Sequence, residues 1–169
     1  MSYTISGLPH HLFAPLSGLT DEERARRGIS HAIVDIKSVF PCRITLEDAE
    51  PGERLYLLNF EHQPAKTPYR SSHAIFVGEA ARGTATFINQ VPDSLHLRLL
   101  SIRAFDVEGA MTDADVVNGV YLETIIERFF ADPKAAYLHV HYAKRGGYAA
   151  RVDRSSLAAL ECRDERGTI

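Results

Sequence analysis

Apolar and polar residues alternate along two segments of the chain, and this alternation predicts β-strands. Alternate residues of a strand face the same side of a sheet. Between Arg54 and His62, one predicted face holds Tyr56, Leu58, Phe60 and His62. The other face holds Leu55, Leu57, Asn59 and Glu61. Between Ala136 and Tyr142 they hold Leu138, Val140 and Tyr142, and Tyr137, His139 and His141. Shorter apolar runs predict further strands at Tyr3–Ile5, His31–Ile36, Cys42–Leu46, His73–Val77, Leu97–Asp106 and Tyr148–Val152.

Helical signals are fewer. Thr20 and Glu23 have the spacing of a capping box, which predicts a short helix that ends at Gly28. Apolar residues recur at the helical period over Asn118–Phe130, with Asn118 as the expected cap. Because the predicted strands follow one another without helical crossovers, we expect an α+β fold: a mainly antiparallel or mixed β-sheet with helices packed on one face.

The length of the chain, 169 residues, predicts a single domain. We expect this domain to span residues 1–154, followed by a short helix and a loose tail over 155–169. The net charge is −3 and the basic residues are scattered, which argues against a nucleic-acid partner because phosphate binding needs a concentrated basic face.

Membrane and secretory signals are not found in the sequence. No stretch approaches the ~18 apolar residues of a membrane span, and the first residues lack the charged and apolar regions of a signal peptide. Cys42 and Cys162 match no metal or redox spacing. We therefore expect a soluble cytoplasmic protein without a membrane partner, and the sequence assigns no cofactor.

His139 and His141 form the first candidate site. Residues two apart on a strand project from one face, with Cβ atoms roughly 6–7 Å apart. Such a pair can chelate a metal ion, present a general base, or lie on a partly exposed sheet face. No third ligand is evident, and Lys144 and Arg145 follow closely, so no residue is assigned as a metal ligand.

The segment from Phe40 to Glu79 carries the remaining candidates. Arg70 and Ser72 could bind an anion beside His73, or could stabilise a loop before the next strand. His62 lies at the end of a predicted strand, where sites are often built, but it also suits a buried histidine with one hydrogen bond. Arg43 follows Cys42, which could be a reactive thiol or a buried structural one.

Several segments together resemble one bacterial family. They are FPCRITLEDAEPGERLYLLNFEHQ, TPYRSSHAIFV, the stretch from Arg103 to Val117, and AYLHVHYAKRGGYAARV. The chain resembles the family catalogued as domain of unknown function 1203 from about Tyr3 to Arg154. The resemblance implies a compact bacterial protein and brings no established activity.

Our first hypothesis is a small enzyme or ligand-binding protein with a pocket for an anionic small molecule, lined by histidines and arginines. The catalytic candidates are His139, His141 and His73, and the ligand-binding candidates are Arg70, Ser72, Arg43, His62 and Arg151. The alternatives are a non-catalytic interaction module and a histidine-ligated metalloprotein, and a homodimer is left open. If His62, His73, His139 and His141 lie on different faces of the molecule, the pocket hypothesis fails.

Overall fold

The computed structural model describes residues 2–37 and 40–155. Its strands and helices, in chain order, are β1 (Tyr3–Ser6), α1 (Asp21–Arg26), β2 (Ser30–Ile33), β3 (Arg54–Gln63), β4 (Ser71–Gly78), β5 (Thr86–Ile88), α2 (Asp93–His96), β6 (Leu99–Phe105), β7 (Met111–Asn118), α3 (Leu122–Ala131), β8 (Tyr137–Tyr142) and β9 (Tyr148–Arg154). Short 3-10 helices occupy His10–Leu12, Ala14–Gly18 and Gly119–Tyr121. The helix and tail predicted over 155–169 lie outside the described residues from residue 156 onward.

The strands form two antiparallel sheets. The larger sheet has the order β5-β1-β9-β8-β6-β7, and the smaller one has the order β2-β3-β4. Helix α3 packs on one face of the larger sheet, and the smaller sheet lies against the opposite face, where side chains of β3 and β4 meet those of β8 and β9. The α+β prediction is confirmed, and the structure adds that a second sheet covers the face opposite α3.

The main core lies between the larger sheet and α3. Leu138 and Val140 of β8 are fully buried there, together with Ile126 of α3. Burying a side chain of this size stabilises the fold by about 1.5–3 kcal/mol. Because alternate residues of β8 point to opposite sides, the same packing directs His139 and His141 toward the smaller sheet.

The helix predicted after Thr20 is confirmed. The Thr20 side chain accepts a hydrogen bond from the amide of Glu23, and the Glu23 carboxylate accepts one from the amide of Thr20. Gly28 follows the helix with a φ of +69°, a left-handed conformation that glycine adopts without a steric penalty.

The strand predicted over Cys42–Leu46 is wrong, because this segment is a turn. The amide of Leu46 donates to the carbonyl of Cys42 at 3.0 Å, and Pro41 and Asp48 form an isolated bridge across its ends. Conversely, the sequence analysis predicted no strand at Met111–Asn118. This strand lies at an edge of the larger sheet, where charged residues such as Asp113 and Asp115 are tolerated, so its apolar pattern is weak.

Among the described residues, the structure contains no helix that is both long enough and apolar enough to cross a membrane.

Candidate functional site

Four histidines converge between the two sheets. His62 comes from β3, His73 from β4, and His139 and His141 from β8; we call these four residues the histidine cluster. The centroid of the His62 ring lies 4.9 Å from that of His73, 5.5 Å from that of His139 and 5.0 Å from that of His141. The four side chains therefore lie at one location and not on different faces of the molecule, which is the condition that the pocket hypothesis needed.

Two β-bulges flank the histidine cluster. The register between β3 and β4 shifts from Glu61 to Gln63, so that His62 has no residue directly opposite it. The register between β8 and β9 shifts next to His141, which lies opposite Tyr148. A bulge bends a strand and changes the direction of a side chain, and bulges are frequent beside functional sites. The strand alternation alone therefore does not determine where His62 points.

Three members of the cluster are almost entirely removed from solvent. The exposed fraction is 8% for His62, 1% for His139 and 0% for His141, whereas His73 is half-buried. Tyr148 lies parallel to the His62 ring at 4.7 Å and meets the rings of His139 and His141 edge-on. The three buried rings thus pack against Tyr148 and against one another.

The tautomer of His141 follows from its hydrogen bond. Its Nδ1 lies 2.9 Å from the carbonyl oxygen of Gly146. A carbonyl can only accept, so Nδ1 carries the proton and Nε2 carries the lone pair. This Nε2 is buried and has no partner among the described residues, as is also true of Nδ1 in His62 and Nδ1 in His139. Buried nitrogens of this kind are costly unless a ligand satisfies them.

The low polarity of the site keeps its imidazoles neutral. Burial lowers the pKa of His139 to about 2, that of His141 to about 3 and that of His62 to about 4. Burial and the positive charge of Arg103 also lower the pKa of His73. At neutral pH the cluster therefore presents uncharged rings, and neutral imidazole is the form that binds a metal ion.

Three of the rings lie close enough together to bind one metal ion. His62, His73 and His141 each offer one nitrogen, and these three nitrogens lie within 4.8 Å of one another. Tetrahedral zinc with Zn–N bonds of about 2.0–2.1 Å places its nitrogen ligands roughly 3.3 Å apart, so small movements would complete such a site. The ligand set is purely imidazole, which suits Zn²⁺, Cu²⁺ and Ni²⁺. His139 does not belong to this group of three.

Arg151 borders the cluster, and Arg43 lies outside it. Arg151 is opposite His139 in the sheet, but its guanidinium is paired with the Asp153 carboxylate at 2.9 Å. Arg43 is buried, and it donates to the carbonyl of Tyr148 at 2.8 Å and to that of Pro41 at 2.6 Å. Arg43 therefore holds the turn at residues 42–46 against β9.

Arg70 and Ser72 face away from the histidine cluster. Arg70 pairs with Glu61 on the exposed side of the smaller sheet, and Ser72 is the residue opposite Glu61 in the register. The structure thus brings together the four histidines predicted as site residues, with Arg151 at their border, and leaves Arg43, Arg70 and Ser72 elsewhere.

Arg103 also borders the histidine cluster, although its residue type and position in the sequence gave it no role. It lies in β6 directly opposite His139, and its charge lowers the pKa values of all four histidines. The only available signal was its position within a predicted apolar strand. The sequence could not show that this strand pairs with the one that carries His139.

Comparisons with known proteins give one match. A family model described as "Protein of unknown function (DUF1203)" matches residues 39–154. No curated protein and no solved structure matches the chain.

Proposed function

Because the chain belongs to the DUF1203 family, whose description assigns no activity, we propose its function from the histidine cluster: the protein binds one divalent transition-metal ion through His62, His73 and His141. The observation that carries this proposal is the approach of three imidazole nitrogens, from both sheets, to within 4.8 Å of one another. Zinc is the first candidate, because it is commonly bound by neutral imidazole nitrogens in tetrahedral geometry.

The protonation state of the cluster supports metal binding. A metal ion needs neutral imidazole, so protons compete with the ion only below the pKa of each ligand. Burial keeps the pKa values of His62 and His141 well below neutrality. Both rings can therefore coordinate a metal at physiological pH without first losing a charge.

The hydrogen bond from His141 to Gly146 also supports the proposal. Histidines that bind metals usually donate their second ring N–H to a carbonyl or carboxylate, which fixes the tautomer and the orientation of the ring. His141 does this through Nδ1, and it directs Nε2 into the cluster.

Three protein ligands leave one coordination position for water or for a substrate, as in catalytic rather than structural zinc sites. A metal ion in such a site supplies Lewis-acid chemistry or an activated water. His62, His73 and His141 would hold the ion between the two sheets, where the ring of Tyr148, stacked on His62, would shield it from solvent.

A metal-free pocket for an anionic small molecule is the second candidate, and the nearby Arg103 favours it. The cavities formed by the described part of the chain do not favour such an anion pocket. Two surface cavities, of about 560 and 150 Å³, are lined by other residues, including Cys42, Glu79 and Arg82 in the larger and Phe13 in the smaller. Neither of these two cavities is lined by a member of the histidine cluster, whereas a metal ion needs only the space between its ligands.

The proposal is tested by metal analysis and titration. We expect the purified protein, after chelation and dialysis, to bind one equivalent of Zn²⁺ or Co²⁺. Each of the variants His62→Gln, His73→Gln and His141→Gln should weaken binding by at least about 100-fold, since loss of an outer-shell partner alone costs about 10–100-fold.

The matched control is His96→Gln, because His96 is exposed on α2, outside the cluster. This variant should bind the metal as the wild type does. Binding of less than about one-tenth of an equivalent by the wild type, or an equal loss of affinity in His96→Gln, would contradict the proposal.

A further inference from the structure

We propose that Arg103 holds an oxyanion at the histidine cluster, so that the ligand at the open metal position carries a carboxylate or phosphate group. This inference rests on the metal site proposed above and assigns the chemical class of its ligand. Arg103 is not one of the three proposed metal ligands.

The register of the larger sheet places Arg103 beside the histidines. Arg103 of β6 lies opposite His139 of β8, and Ser101 lies opposite His141. Residues directly opposite each other in an antiparallel pair have Cβ atoms about 4.5–5.5 Å apart and share one face of the sheet. Arg103 therefore projects from the same face as His139 and His141.

Within the described part of the chain, residues 2–37 and 40–155, the guanidinium of Arg103 makes no hydrogen bond and no ion pair. Other arginines of the larger sheet and its helix do have partners, since Arg151 binds Asp153 and Arg128 binds Asp115 at 2.6 Å. Arg103 is half-buried, and burial lowers its pKa. A partly desolvated guanidinium with free donors is suited to bind carboxylate or phosphate oxygens in a bidentate manner.

The charge balance of the site favours an anion. A divalent ion bound by three neutral imidazoles keeps its full charge, and Arg103 adds another positive charge. Among the described residues, no acidic side chain forms a hydrogen bond or an ion pair with any of the four histidines, whose hydrogen bonds join His62 to His73 and His141 to the carbonyl of Gly146. Buried charges are stable only when they are paired. An anionic ligand supplies the missing negative charge.

The exposure pattern indicates the direction of access. His62, His139 and His141 are buried, whereas His73 and Arg103 are half-buried. A ligand therefore reaches the cluster from the side of His73 and Arg103, and it meets the arginine on its way to the metal.

The experiment uses the Co²⁺-loaded full-length chain, because the visible absorption of Co²⁺ changes when an anion enters its coordination sphere. Inorganic phosphate and acetate are titrated separately, so that the two sources of oxyanion chemistry are distinguished. We expect at least one of the two anions to change the visible absorption of Co²⁺, and this change should reach a plateau as the anion concentration rises. Arg103→Gln should weaken that response by at least about tenfold, as expected for the loss of a charge-assisted bidentate contact, while Co²⁺ binding itself is retained.

The matched control is Arg70→Gln, since Arg70 is exposed and pairs with Glu61 on the far side of the smaller sheet. This variant should respond as the wild type does, and Arg103→Lys should restore only part of the response. Equal responses of the wild type and Arg103→Gln, or no response to either anion, would overturn the role of Arg103 and leave the metal site standing. Failure to bind Co²⁺ at all would overturn the metal site and this inference with it.

Discussion

Nε2 of His62 and Nδ1 of His73 lie 2.7 Å apart, and the two rings are within 18° of parallel. Their centroids are 4.9 Å apart, so the rings meet edge to edge rather than face to face. The two nitrogens are therefore joined by an N–H···N hydrogen bond in which one proton occupies the space between them. A metal ion that uses both nitrogens must displace this proton and separate the rings slightly.

We expect zinc to stabilise the protein against heat. At a free zinc concentration about 100-fold above the dissociation constant, binding to the folded state alone adds about 2.7 kcal/mol. For a chain of this size that corresponds to a rise in Tm of roughly 5–10 °C. Calorimetry of the chelated and the reloaded protein measures the shift. His73→Gln should unfold at the same temperature with and without zinc, and a wild-type protein that behaves the same way would speak against the metal site.

We expect the metal-free protein to lose stability as the pH falls below about 6.5. The pKa values of His139 and His141 in the folded state, about 2 and about 3, are far below the ordinary histidine value of about 6.5, so the unfolded chain binds protons that the folded protein excludes. Stability from these residues is fully present above pH 6.5 and is lost as the pH falls toward 3, by up to about 1.4 kcal/mol per pH unit for each. Urea denaturation between pH 4 and pH 7.5 measures this slope.

The control for the pH experiment is His139→Gln, which cannot titrate. Its stability should depend less steeply on pH in the same window than that of the wild type. If the two proteins show the same slope, His139 is not held neutral by the fold.

Gly146→Ala should weaken metal binding through the carbonyl that accepts the proton of His141. Gly146 has a φ of +72°, and a side chain there costs about 1–2 kcal/mol in the left-handed region. Relaxation of this strain moves the carbonyl, and loss of an outer-shell contact lowers metal affinity about 10–100-fold.

Gly52→Ala is the matched control for Gly146→Ala. Gly52 has a φ of +92°, and an added Cβ at either glycine would meet no atom within 4 Å. Both variants should therefore lose similar stability in urea denaturation, while only Gly146→Ala loses zinc affinity in a competition titration. Equal zinc affinity in the two variants would refute the role of the carbonyl.

Arg43→Met should destabilise the fold without affecting the metal site. The change removes the donors to the carbonyls of Tyr148 and Pro41 and the contact of the guanidinium with the ring of Tyr142. Leaving these two buried carbonyls unsatisfied costs about 1–3 kcal/mol each, so the free energy of unfolding should fall by about 2–6 kcal/mol. Zinc affinity of the folded variant should equal that of the wild type, and a large loss would instead support a ligand-binding role for Arg43.

Much of the local structure was predictable because it depends on neighbouring residues. Spacing along the chain was enough to predict the capping box at Thr20 and the strand of Arg54–His62. It also predicted that His139 and His141 share one face of their strand. The turn over Cys42–Leu46 was missed because its apolar residues resemble a strand, and β7 was missed because an edge strand needs few apolar side chains.

The amino-acid sequence by itself determined the α+β character, the family and the pairing of His139 with His141 on one face, since each depends on local periodicity or on the order of segments. Only the tertiary structure decided that His62 and His73 meet this pair from a second sheet, and that Arg103 lies opposite His139. These relationships depend on strand register, on a bulge at His62 and on the packing of one sheet against another. Such contacts join residues up to 79 positions apart, and no local pattern records them.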